Sequence, residues 1–107
     1  MIVRLEEKIR TLDGTPLQDM DKNSGKMMEL TAGMVMVEAL LRPHASEERL
    51  SGMDKLKRFE LARKIHGGRE EVELAVEEVA LIKELVGVKN FPVLIVGQMF
   101  GILEGKK

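Results

Sequence analysis

The chain has 107 residues and no internal repeat, enough for one domain with a single core. Hydrophobic residues make up 44% and charged residues 33%, which excludes a disordered chain; 17 basic against 18 acidic side chains leave a net charge of −1, so no overall field draws it to nucleic acid or an anionic membrane. The absence of cysteine excludes disulfides, thiolate metal sites and thiol nucleophiles, and suits a reducing interior.

The opening Met1-Ile2-Val3-Arg4-Leu5-Glu6-Glu7 interrupts its apolar run with charge at once, unlike a signal peptide. No apolar run approaches the roughly 20 residues needed to cross a bilayer, so a soluble, intracellular protein is expected. Within residues 1–30 the Asp13-Gly14-Thr15-Pro16 segment lies between Ile9, Leu12 and Leu17, a hairpin signal that predicts strands over 3–12 and 16–19. Ile2, Leu5, Ile9 and Leu12 also fit one face of a short helix.

Residues 31–107 carry helical patterns. Thr31 is placed to cap a helix over 32–42, stopped by Pro43; only Glu38 and Arg42 break its apolar surface, which predicts the most buried helix. Ser51 and Asp54 form an approximate capping box for a helix over 52–66, ended by Gly67-Gly68. Its apolar residues Met53, Leu56, Phe59, Ala62 and Ile65 step by three, so the stripe turns back by about 60° per step and its two ends should meet different neighbours. Val72 and Leu74 alternate with glutamates in an extended link. A helix over 75–86 then sets Ala75, Val79, Ile82 and Val86 in a seam widened by Leu81 and Leu85, with Glu77 and Glu78 in the first turn and Gly87 at the end. Pro92 opens a last helix over 92–104, with Pro92, Val96, Met99 and Leu103 in one stripe; the β-branched run 93–96 offers a buried strand as the alternative.

Groups able to carry chemistry are sparse. Asp19, Asp21, Asn23 and Gly25 resemble the start of a calcium loop, but the glycine comes one place late and Leu30 stands where a bidentate Glu is required. His44 and His66 lack further ligands at helical spacing. Glu70, Glu71, Glu73, Glu77 and Glu78 read as a solvated acidic face rather than an acid/base pair. Lys55, Lys57, Arg58, Arg63 and Lys64 scatter around their helix instead of forming one basic stripe, and no Tyr or Trp is present for base stacking. Pairing with the acidic segment is the plainer account, and nucleic acid is not an expected partner. Neither a phosphate-binding glycine loop nor a recognisable nucleophile context occurs, so no metal, cofactor or catalytic residue is expected. Eight methionines, with Met27, Met28, Met34 and Met36 crowded together, suit adaptable packing or an interface.

The run 55–65, the segments Val72-Glu73-Leu74 and 78–87, the opening Leu12-Asp13-Gly14-Thr15-Pro16 and the Ala39-Leu40-Leu41 helix end together resemble a group of small phage and prophage proteins without assigned activity. Ala75 departs from the Thr or Ser expected at the third helix's N-cap. The resemblance transfers no functional residue. It implies a phage-encoded protein of the host cytoplasm or virion.

The expected fold is α+β and mainly helical, an N-terminal β-hairpin packed against three to four helices in one domain. The expected role is non-catalytic docking in head or tail assembly; a host-directed inhibitor and a small DNA-binding regulator are the alternatives. A homo-oligomer is expected through the last helix, where Gly97 and Gly101 leave a flat face beside Leu94, with Met99 and Phe100 covering much of the remainder.

Overall fold

In the computed structural model, which describes residues 1–20, 25–42, 50–89 and 91–105, Val3 and Val72 stand opposite each other across two short antiparallel strands. These are β1 (Ile2–Arg4) and β4 (Glu71–Glu73). Alternation turns both valines into the core and leaves Ile2, Arg4, Glu71 and Glu73 outside. The glutamate-rich link becomes a strand because β1 supplies its partner; Leu5 N–H donates to Glu70 O at 2.8 Å and Leu74 N–H to Met1 O at 2.7 Å.

The expected 3–12 strand is therefore divided. Its first part pairs with residues about seventy places away, and its second part forms the anticipated turn. Thr11 N–H donates to Thr15 O at 2.8 Å, Leu17 N–H to Ile9 O at 2.7 Å, and Gly14 takes φ 94°, which favours glycine. The outward N–H and C=O of Arg10 are both engaged by the Gln98 side chain, at 2.8 and 2.6 Å. A second hairpin follows, β2 (Gln18–Met20) against β3 (Met27–Glu29), in place of a strand over 16–19. Of the calcium-like segment, Asp19 lies on β2 opposite Met28 and Gly25 takes φ 72°, while 21–24 lie outside the described residues.

Among the described residues four helices complete the α+β, mainly helical fold: α1 (Ala32–Leu41), α2 (Gly52–Gly67), α3 (Val76–Val88) and α4 (Val93–Leu103). α1 packs against both α2 and α3, and α3 against α4. Thr31 caps α1 as expected, its hydroxyl accepting from Met34 N–H at 3.4 Å, while Ala32 N–H reaches Glu7 O at 2.8 Å and Gly33 N–H reaches Leu5 O at 3.0 Å. Half of α1's residues are buried, a higher proportion than in any other of these helices. Glu38 pairs with Arg42 one turn on.

Four helix details differ from expectation. α3 runs through Gly87, with Lys89 N–H still bonded to Leu85 O at 2.9 Å, and the Phe100 ring lies over that glycine. Its buried seam is Ile82, Leu85 and Val86; Val79 is half-buried and Ala75 exposed. Pro92 is the N-cap rather than the first helical residue of α4, its carbonyl accepting from Ile95 and Val96 N–H at 3.0 and 3.1 Å. The α4 stripe that enters the core is Ile95, Met99 and Leu103, each four residues apart; Val96 is half-buried and Pro92 exposed.

Gly33 lies so close to β1's continuation that an added Cβ would stand 3.2 Å from both Leu5 Cβ and Leu5 O, whereas one at Gly97 would meet nothing. Gly33→Val is expected to cost about 1–3 kcal/mol through overpacking. Gly97→Ala should add about 0.5–1 kcal/mol by removing a helical glycine. Denaturant midpoints that move in the same direction for both variants would contradict this placement.

Candidate functional site

Ser51 starts α2 by accepting from Asp54 N–H at 3.1 Å, and Gly68 closes it. Between them, the side chains divide according to the turning stripe. Ala62 and Ile65 are buried together with Leu61, but Met53, Leu56 and Phe59 are 64%, 45% and 50% exposed. The expectation of two neighbours is met at one end only: the C-terminal half rests on the core and the N-terminal half points into solvent. Single-sided amphipathicity is absent because a three-residue step cannot stay on one face of a helix with 3.6 residues per turn.

This exposed stripe continues onto α1. Phe59 borders a groove with Val37, Leu41, Ala62, Arg63 and His66, and Leu41 is itself 55% exposed. Val37 and His66 also line a second groove of about 390 Å³ together with Leu5, Thr31, Gly33 and Met34, and with the charged Glu6, Glu38 and Arg69. The Arg63 guanidinium lies 5.8 Å from the Phe59 ring centroid. The result is an apolar floor with a mixed polar border, suited to receiving another apolar segment.

The remaining sequence candidates are dispersed. Lys64 meets Glu78 at 3.2 Å, the expected pairing of basic helix and acidic segment, while Lys55, Lys57 and Arg63 stay exposed elsewhere on α2. Glu70, Glu71, Glu73 and Glu77 are exposed. His66 sits in the last turn of α2; His44 lies outside the described residues. Among the described residues no three His, Asp or Glu side chains converge as metal ligands. No helix described is long and apolar enough to cross a membrane.

The methionine group separates into Met36 in the core, Met34 at the groove and Met27 and Met28 exposed on β3. On α4, Met99 is fully buried within the protomer and so leaves the anticipated interface; Phe100 is half-buried beside α3, with Lys83 5.4 Å from its ring centroid. Leu94 and Gly101 are half-buried and Gly97 is exposed. The Leu41–Phe59 contact surface had one sequence signal, the backward drift of the α2 stripe, but its α1 half is set by tertiary packing.

Comparison with protein-family models, curated proteins and solved structures gives no match.

Electrostatics are most specific at the start of α3. Ala75 has no side-chain oxygen, so only half a capping box forms: Glu78 Oε1 accepts from Ala75 N–H at 2.7 Å. That backbone bond is the main cause holding the Glu78 carboxyl below its ordinary value of 4.5; partial burial opposes it, and Lys64 adds to the lowering. A depressed folded value stabilises the protein above the unfolded value and is lost as pH falls through the folded one. Wild type is therefore expected to exceed Glu78→Gln in thermal midpoint at neutral pH, with the gap closing below about pH 4.5. A gap that persists at low pH would contradict the carboxylate's role.

Proposed function

We propose that this chain is a non-catalytic docking domain of the small phage-protein type, acting by protein–protein contact during head or tail assembly. The observation that carries the reading is the outward run Met53, Leu56 and Phe59 on α2, joined to Leu41 on α1. Three large apolar side chains on successive turns lose favourable burial while they face water, at about 25 cal/mol per Å² of exposed apolar surface. A partner that covers them recovers that term, and their alignment on one helix gives the contact direction and register. The sequence resemblance supports the phage setting.

The flat part of α4, Leu94, Gly97 and Gly101 with the edge of Phe100, is the proposed face for a second copy. It lies on a different helix from the α2 run, so the two contacts can be perturbed separately.

The test compares wild type with Leu56→Glu in phage-infected cells by crosslinking, and assays purified virions for the protein. Leu56→Glu should keep the wild-type melting curve and lose the crosslinked partner, with wild type present in particles. Partners unchanged by Leu56→Glu would overturn the docking reading. Wild type bound to a host protein and absent from virions would replace assembly by host inhibition.

A further inference from the structure

We infer that the outward face of α2 receives an acidic amphipathic helix from another protein. The inference rests on the docking reading above and adds the chemistry of the partner.

Helix geometry defines the face. At about 100° per residue, Leu56, Phe59, Glu60, Arg63 and Met53 lie on the side of α2 away from the buried Leu61, Ala62 and Ile65. Lys55 and Lys57 flank it on either edge, both exposed. Among the described residues its borders thus carry Lys55 and Lys57, Arg63 and Glu60 lie within the face, and Glu77 lines the α3-side groove next to Lys57 and Glu60. Lys64 is already engaged by Glu78 on the α3 side, and Asp54 projects from the opposite side of the helix. The face is an apolar strip in a basic frame on a chain whose net charge is −1.

That frame discriminates between occupants. Two copies packed antiparallel through Leu56 would set Lys55 of one α2 against Lys55 of the other on one edge and Lys57 against Lys57 on the other edge, bringing four like charges together. A helix with apolar residues at i, i+3 and i+7, flanked by Asp or Glu, fills the strip and places carboxylates against the same lysines and Arg63. Phe59 extends the floor to Val37 and Leu41, so the incoming helix has apolar contact with both α1 and α2.

The test uses the full chain and two synthetic amphipathic peptides of about 20 residues with identical apolar positions, one flanked by Glu and one by Lys. Fluorescence anisotropy should show the Glu peptide binding wild type at least about tenfold more tightly than the Lys peptide, a difference of about 1.4 kcal/mol. Raising salt from about 0.05 to 0.5 M should weaken that binding. Leu56→Glu should weaken it by about tenfold or more, and the pair Lys55→Glu with Lys57→Glu, checked for folding by circular dichroism, should reverse the preference.

Equal affinity for the two peptides, binding of neither, or no effect of the lysine reversal would overturn the acidic-partner inference. So would a wild-type dimer in light scattering that Leu56→Glu converts to monomer, since a second copy would then occupy the face. If the crosslinked partner is lost in Leu56→Glu while lysine reversal has no effect, the docking reading stands and only the acidic chemistry fails.

Discussion

The architecture depends on how closely three elements approach Leu5. Its N–H donates to Glu70 O at 2.8 Å, its C=O accepts from Gly33 N–H at 3.0 Å, and its side chain is buried against Gly68, where a Cβ would stand 2.7 Å from Leu5 Cδ1. One residue thereby joins β1's continuation to the approach to β4, the first turn of α1 and the end of α2. Together with Glu7 O and the Thr31 hydroxyl, it supplies partners for the N–H groups of Ala32, Gly33 and Met34, which no helix can satisfy internally. The far end of α1 is closed from another distant segment: buried Lys89 donates its ammonium to Arg42 O, a favourable location for a cation at a helix C-terminus.

Fixing α1 at both ends determines what α2 can bury. With α1 held between α2 and α3, the turning stripe of α2 contacts the core through Ala62 and Ile65 and has rotated outward by Phe59, Leu56 and Met53. The exposed apolar strip and the core are two parts of one sequence pattern. Charge follows the same division in part: Lys64 turns towards α3 and finds Glu78, with Lys57 lining the same groove, whereas Lys55 and Arg63 stay exposed along the strip.

Local signals were legible where local energetics decide the outcome. Thr31 and Ser51 cap the helices that their sequences announce, and the Asp13-Gly14 turn forms with Gly14 at positive φ. The division of the 3–12 strand was not legible, because the partner of Ile2–Arg4 is Glu71–Glu73 and the choice of partner belongs to tertiary packing. The extension of α3 through Gly87 has a similar cause: glycine weakens a helix without ending it, and Phe100 packs over the position. For the candidate site, the α2 drift disclosed that one end needed another neighbour, while the groove with Val37 and Leu41 emerged only from the α1–α2 contact. Met99 lies inside because the buried α4 stripe runs through Ile95, Met99 and Leu103.

Native-state hydrogen exchange at Leu5, Ala32 and Gly33 tests the Leu5 junction most directly. If these bonds hold the fold together, the three amides exchange only through global unfolding, with the same free energy of opening as the buried Ile82 amide in α3. Exchange of Leu5 and Gly33 at a markedly lower opening free energy, while Ile82 remains fully protected, would show that β1 and its continuation fray from an independently stable helical body and would contradict the account.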